Sequence, residues 1–314
     1  MQIKQISSEK QANTKQNFRP ISFDEFVGQK HIKKILKTAV KSAQHREGHL
    51  GHILLSWPSG YGKTTMAQIV ANQADAKIHI ITWYAISKPA DIISVLTAME
   101  EYDILFIDEI HRLKPTIEEM LYIAMEDFAI DMVMPDGWNV RLPLKPFTLI
   151  GATTKPSSLS QPLKNRFVYD CHFVDYTKEE KLEVVARYLN LYDISTHQNI
   201  LGNIAKKVDS VPREIHNLCV KIRDFLISHN DGKLTLVEET WIVCEDWLQI
   251  KDGGITPIHQ KYLDILANQD SAVGLKTIAL QLGINEDTVE NEIEPLLIKL
   301  GLIHKTPRGR ITRE

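Results

Sequence analysis

Gly60, Gly62, Lys63, Thr64 and Thr65 stand together at the end of an apolar run, in LLSWPSGYGKTTMAQIV. Glycine admits positive φ and close approach, so backbone N–H groups at such a turn can converge on phosphate oxygens. A lysine there reaches the β and γ phosphates, and a threonine hydroxyl can ligate Mg2+. The helix that begins at Lys63 adds the positive end of its dipole. The spacing is that of the phosphate-binding pattern G-x-x-x-x-G-K-[ST], except that Trp57 stands at the first glycine. Trp57 precedes the turn. An extended backbone at residue 57 tolerates the indole, whereas a positive φ would cost about 1–2 kcal/mol.

A second group complements the first. DILFIDE is a continuous apolar run that ends in Asp108 and Glu109. At the carboxyl end of a buried strand, Asp108 would hold Mg2+ and Glu109 would orient and polarise an attacking water. FTLIGATT offers Thr153 and Thr154 at the end of another such run. Thr153 is the candidate sensor of a γ-phosphate. Arg166, in PLKNRF, is suited to stabilising transition-state charge in a neighbouring subunit, and Arg213, in VPREIHN, follows a proline that starts a helix. An isolated arginine before a phenylalanine is more often a surface ion pair, so Arg166 gains meaning only from its company.

These residues need a scaffold. His31–His45 has the apolar spacing of a helix. HILLSW, DILFIDE and FTLIGATT read as buried strands and KIHIITW as strand-like, with helices predicted at Lys63 onward, 89–100 and 116–128. Strands alternating with helices predict an α/β domain with a parallel sheet. Residues 129–144 interrupt it with two alternating runs around Pro135-Asp136-Gly137, which reads as a β-hairpin. From Thr177 the patterns become helical. After KDGG come three helical segments and GLIHKTPRGRITR, two short strands around a turn, which together predict a winged helix. The expected organisation is a disordered tail at 1–17, a large ATPase domain at 18–176, a small helical lid at 177–252 and a winged-helix domain at 253–314.

Composition narrows the class. Of 314 residues, 43% are hydrophobic and 25% charged, as in a soluble globular protein with two or three domains. No apolar run approaches the ~20 residues of a membrane span. No apolar leader follows the start, so the expected location is the cytoplasm, with no membrane partner. Cys171, Cys219 and Cys244 are odd in number and widely spaced, which predicts buried reduced thiols rather than disulfides or zinc ligands. Net charge is −3, but Lys299, Lys305, Arg308, Arg310 and Arg313 form an acid-free basic stretch that suits nucleic-acid phosphates.

Together these residues resemble the AAA+ ATPases. FRP…FDEFVGQ, GYGKTT, LFIDEIHRL, EEMLYIAMEDF, FTLIGATT, PLKNRF, VPREIHN and TPRGR narrow the resemblance to the RuvB family of Holliday-junction motors, over about Phe18 to Arg313. The resemblance implies an AAA+ P-loop domain, an all-α lid and a winged helix. It implies an ATP hydrolase that uses Mg2+ and drives branch migration as a homo-hexameric ring on double-stranded DNA, with RuvA and the RuvC resolvase as partners. Phe18 and Arg19 would frame the adenine. Gly60, Gly62, Lys63, Thr64 and Thr65 would hold phosphates, with Thr64 and Asp108 on the metal. Glu126, Asp127, Phe128 and Tyr176 would contribute to nucleotide binding. Arg166 would be the trans-acting finger, and Arg213 the cis-acting sensor. The 129–144 hairpin would dock on RuvA, and Lys305, Arg308 and Arg310 would lie on DNA phosphates. The chain departs from the family pattern at Trp57, Ser59, Lys155, Lys164 and Val168. Two other classes fit parts of the sequence: a nucleotide-binding scaffold on DNA without turnover, and a clamp-loader-like subunit. Glu109 and Arg166 disfavour the first; the hairpin and the basic wing disfavour the second.

Overall fold

The computed structural model describes residues 19–133, 137–269 and 271–312. These fall into two compact units that meet in sequence at Tyr176 and Thr177. Phe18, Arg313, the tail at 1–17 and the turn residues 134–136 lie outside the described residues. Among the described residues no helix is long and apolar enough to cross a membrane.

The first unit opens with α1 (Lys30–His45), which buries Ile32, Leu36, Ala39, Val40 and Ala43, one stripe at helical spacing. Then follow β1 (Ile53–Ser56), α2 (Lys63–Ala74), β2 (Ile78–Thr82), α3 (Pro89–Thr97), β3 (Ile104–Asp108) and α4 (Pro115–Asp127). Next come β4 (Ala129–Val133), β5 (Asn139–Pro143), β6 (Thr148–Thr153), the single-turn α5 (Gln161–Lys164) and β7 (Tyr169–His172). Five strands form one parallel sheet in the order β2-β3-β6-β1-β7. Ile53, Leu54 and Leu55 of β1 are fully buried, as are Leu105, Phe106 and Ile107 of β3. Apolar on both faces, these runs suit the middle of a covered parallel sheet, each large side chain contributing about 1.5–3 kcal/mol. β4 and β5 form the expected antiparallel hairpin, from Ala129 opposite Pro143 to Val133 opposite Asn139.

β7 was not predicted. Only Cys171 of its four residues is buried, so it carries no strong apolar pattern. It is a strand because β1 offers it a parallel edge, Ser56 opposite His172.

The second unit contains α6 (Lys178–Leu191), α7 (Gln198–Lys206), α8 (Pro212–His229) and α9 (Glu238–Leu248), with one two-residue strand pair, β8 (Ser195–Thr196) on β9 (Thr235–Leu236). α6 starts at a capping box in which Thr177 accepts from Glu180 N and Glu180 reaches back to Thr177 N. α10 (Pro257–Ala267), α11 (Leu275–Leu282), a third helical stretch over 286–299, and the antiparallel β10 (Ile303–Thr306) and β11 (Gly309–Thr312) make the winged helix. Tyr262, Ile278, Val289, Leu297 and Ile303 are its fully buried centre. The third helix widens to a π turn over Val289–Ile293. Pro295 lies two residues beyond it, after Glu294, and lacks the N–H that an α turn would have donated to Asn291. The wing needs Gly309: its φ is +142°, and a Cβ there would come within 2.4 Å of Val273 O. Val273 and Arg310 exchange both backbone hydrogen bonds, at 2.8 and 2.9 Å.

Candidate nucleotide-binding and hydrolysis site

A parallel sheet delivers all its carboxyl ends to one edge. Ser56 lies opposite Thr153, and Thr82 opposite Asp108. The loop after β1, the acids after β3 and the threonines ending β6 therefore share that edge, where ligands bind in open α/β sheets.

The loop is built as the glycines require. Gly60 and Gly62 have φ of +91° and +94°. A Cβ on Gly62 would lie 3.0 Å from the ring of Phe26, so the bare backbone is needed for space as well as conformation. Lys63, the first residue of α2, is buried, and its ammonium donates to the carbonyls of Trp57 at 2.6 Å and Pro58 at 3.1 Å. Trp57 does not break the turn. Its φ is not positive, and its N–H donates to Thr153 O at 3.2 Å, extending the sheet pairing by one residue. The indole stands edge-on to Tyr61, with centroids 6.0 Å apart, and Tyr61 stacks on Tyr176 at 6.2 Å. Tyr61 also donates its hydroxyl to Asp175.

Tyr176 is held from a distance by a residue to which no role had been assigned. Gln29, buried and in the left-handed region, donates to Val174 O at 2.6 Å and accepts from Val174 N at 3.0 Å. The glutamine of FVGQ thus grips the segment carrying Asp175 and Tyr176.

Glu109 also has left-handed backbone, φ 50° and ψ 46°, which costs a non-glycine residue about 1–2 kcal/mol. That strain turns its carboxylate onto the end of β6. Glu109 Oε2 accepts from Thr154 Oγ1 at 2.9 Å and Thr154 N at 3.3 Å. His111 Nδ1 lies 3.2 Å from the same oxygen and 2.9 Å from Thr153 Oγ1. Burial holds the His111 ring below its usual pKa, outweighing the opposite pull of Glu109. Asp108 Oδ1 accepts from Glu109 N at 3.1 Å.

The two threonines therefore have different partners. Thr153 is fully buried, engaged with His111 and with Lys155 N at 3.0 Å, while Thr154 is the one on Glu109. His111 and Thr154 were legible only as neighbours of the motif residues; the bend at Glu109 is what brings them together.

The motif at the end of α4 is engaged within the same unit. Glu126 accepts from Arg166 Nη2, and Asp127 accepts from Arg141 at 2.6 Å. Phe128 is the left-handed residue that ends the helix and packs edge-on to His49 and Phe147. Arg19 is exposed. In the second unit Arg213 is an exposed residue in the first turn of α8, directly after Pro212.

In the winged helix, two of the three cations expected on DNA phosphates have carboxylate partners of their own. Arg310 donates to Glu294 at 2.7 and 3.3 Å, Lys305 lies 2.7 Å from Glu294 and 3.0 Å from Glu290, and Tyr262 donates to Glu294 at 3.0 Å. Glu294 is fully buried; burial pushes its pKa up, but the bonds from Arg310, Lys305 and Tyr262 outweigh that and hold it low. Lys305 and Arg310 thus have internal carboxylate partners. Arg308, at the wing tip, is exposed and has no hydrogen-bond or ion-pair partner among the described residues.

The loop and the acids fit ATP and magnesium. Glycines leave the N–H cradle open, and the Thr64 hydroxyl and Asp108 carboxylate are the hard oxygen donors Mg2+ takes, with phosphates and water completing its shell.

Comparison with known proteins agrees with this geometry. Residues 18–173 match the model of the Holliday junction DNA helicase RuvB P-loop domain, and 252–314 match the RuvB C-terminal winged helix domain. The Holliday junction branch migration complex subunit RuvB of Limosilactobacillus reuteri is 38% identical over 310 residues, covering 97% of this chain and 91% of that protein. The Thermotoga maritima subunit is 38% identical over 306 residues, covering 95% and 90%. The solved Thermotoga maritima RuvB Holliday junction branch migration motor superposes with a TM-score of 0.80 at 36% identity, covering 95% of this chain and 96% of that one. With both domain models matched and near-complete relatives well above a third identical, the chain belongs to the RuvB family.

Proposed function

We propose that this chain is the ATP-hydrolysing motor subunit of a Holliday junction branch migration complex. The observation that carries the reading is Glu109: strained backbone aims its carboxylate at the edge of the sheet beside Asp108, Thr154 and the phosphate loop. Left-handed backbone also occurs at Gln29 and Phe128, so it is the placement of the carboxylate next to Asp108, and not the strain itself, that supports hydrolysis over binding alone.

ATP is the substrate. Gly60, Gly62, Lys63, Thr64 and Thr65 bind its phosphates, and Tyr176, with Phe18 and Arg19, borders the base. Thr64 and Asp108 would hold Mg2+, which supplies charge neutralisation at the β and γ phosphates. Glu109 orients the attacking water and takes its proton. Thr154 fixes the Glu109 carboxylate, while Thr153 supports the same corner through His111. Arg213 senses the nucleotide from the helical lid, 177–252. Arg166, with Glu126, Asp127 and Phe128 beside it, faces the nucleotide of the adjoining subunit, so the active form is a homo-hexameric ring. The 129–144 hairpin docks on RuvA, and exposed Trp138 and Val140 give it an apolar contact face. RuvC acts on the same junction. The winged helix, 253–314, contacts duplex phosphates chiefly through Arg308, without reading sequence. All of this is set in the cytoplasm.

The test is phosphate release from labelled ATP by the purified protein, alone and with junction DNA and RuvA, together with junction unwinding. Hydrolysis that rises with junction DNA, and Mg2+-dependent unwinding, are expected. ATP binding without release under every condition would replace this reading with a non-hydrolysing scaffold.

A further inference from the structure

Two adjacent acids close α4, and each holds an arginine from elsewhere in the unit. Asp127 takes Arg141 of β5, and Glu126 takes Arg166. The backbone of Arg166 is fixed: its N–H donates to Leu163 O at 3.1 Å, and the next residue, Phe167, is buried. What remains free is the long side chain, which is 34% exposed. Its Nε is buried without a hydrogen-bond partner, so Glu126 supplies its charged anchor. A guanidinium carries five donors, and a carboxylate on Nη2 leaves others for a second anion. Anchoring a long, flexible side chain in advance removes part of its entropic cost from the transition state.

We propose that Glu126 is a positioning residue for Arg166: it orients the guanidinium that one subunit presents to the ATP of the next, and acts on hydrolysis only through that arginine. This rests on the trans-acting reading of Arg166 given above. A carboxylate contacting the neighbouring nucleotide directly would instead act whether or not Arg166 is present, and that difference can be measured.

The experiment is steady-state ATP hydrolysis by uniform rings of wild type, Glu126→Gln, Arg166→Ala and the double variant. Labelled phosphate release gives sensitivity at low rates. Glu126→Gln should lower kcat about tenfold with KM for ATP unchanged, the size of one charge-assisted hydrogen bond. Arg166→Ala should lower kcat by about 10³-fold or more. The double variant should match Arg166→Ala. Glu126→Asp, which keeps the charge but shortens the reach, should fall between wild type and Glu126→Gln. Glu126 is half exposed, so melting temperatures should stay at the wild-type value and separate positioning from folding. A double variant slower than Arg166→Ala by the full Glu126→Gln factor, a Glu126→Gln ring with wild-type kcat, or a loss confined to KM overturns the proposal. A wild-type rate in Arg166→Ala defeats the trans-acting reading itself, whatever Glu126→Gln does.

Discussion

Thr154 donates its hydroxyl to Glu109 at 2.9 Å, while its neighbour Thr153, fully buried, faces His111 instead. Thr153 is the last residue of β6 and Thr154 the first beyond it, where the chain bends away, so the two consecutive threonines meet different partners. Thr154→Val should lower kcat for ATP by about tenfold with the fold intact, since it removes a hydrogen bond to a charged group. Thr153→Val strips a partner from the Lys155 N–H and from His111, and should cost about 1–3 kcal/mol of stability. Glu109→Gln should keep ATP binding and lose about 10²–10⁴ in turnover. Rates and melting curves of the three variants check the division; a Thr153→Val enzyme that melts normally but turns over slowly would reverse the roles.

The pH dependence of stability has an identifiable source in His52. It accepts from Leu149 N at 2.9 Å through Nδ1, so its Nε2 carries the hydrogen and donates to Met125 O at 3.0 Å. Burial lowers its pKa to about 4. The unfolded ring titrates at 6.5, so between pH 6.5 and 4 the unfolded state binds a proton that the folded state refuses. Stability present above pH 6.5 is therefore lost on acidification, by up to about 3 kcal/mol at pH 4. Urea midpoints at pH 7.5, 5.5 and 4.5 should show the fall, and His52→Gln should flatten it. An unchanged slope in His52→Gln would assign the effect elsewhere.

The cysteines should be chemically silent in the native protein. Burial pushes Cys171, Cys219 and Cys244 up to about 12, so almost no thiolate exists at neutral pH. A thiol reagent should label them only at the rate of unfolding, and labelling should rise together with the loss of circular dichroism in urea. Fast labelling of any one in buffer would contradict the burial.

In the wing, Arg308 and Arg310 should part company. Arg308→Ala should weaken DNA binding equally on unrelated sequences and reduce the salt slope by about 0.9, with no change in melting. Arg310→Ala takes two hydrogen bonds from the buried Glu294, which keeps Lys305 at 2.7 Å and Tyr262 at 3.0 Å, and should destabilise by about 1–3 kcal/mol. Salt titrations of DNA binding and thermal melts separate the two. Equal effects of both variants on DNA and on melting would contradict the internal pairing.

Much of this was readable from the chain. The apolar runs at 53–56, 104–108 and 148–153 are strands buried inside the sheet, the run at 78–82 is its half-exposed edge strand, and the glycines at 60 and 62 announce a turn. β7 was not legible, since Tyr169, Asp170 and His172 show no burial pattern and its pairing comes wholly from β1. Nor was the fate of the basic stretch. Counting Lys305 and Arg310 as available cations missed Glu290 and Glu294, which lie in the preceding helix and meet them only when the wing folds back. The left-handed turn at Glu109 has no residue-type signal either, because glutamate rarely adopts it.

Trp57 gives the molecule a built-in light source. Its carbonyl accepts from the Lys63 ammonium and its indole leans on Tyr61, so any phosphate that draws Lys63 away changes the electric field around the fluorophore. The residue that departs from the loop pattern thereby makes emission a direct readout of occupancy, with Trp57→Phe as the dark control against the other four tryptophans.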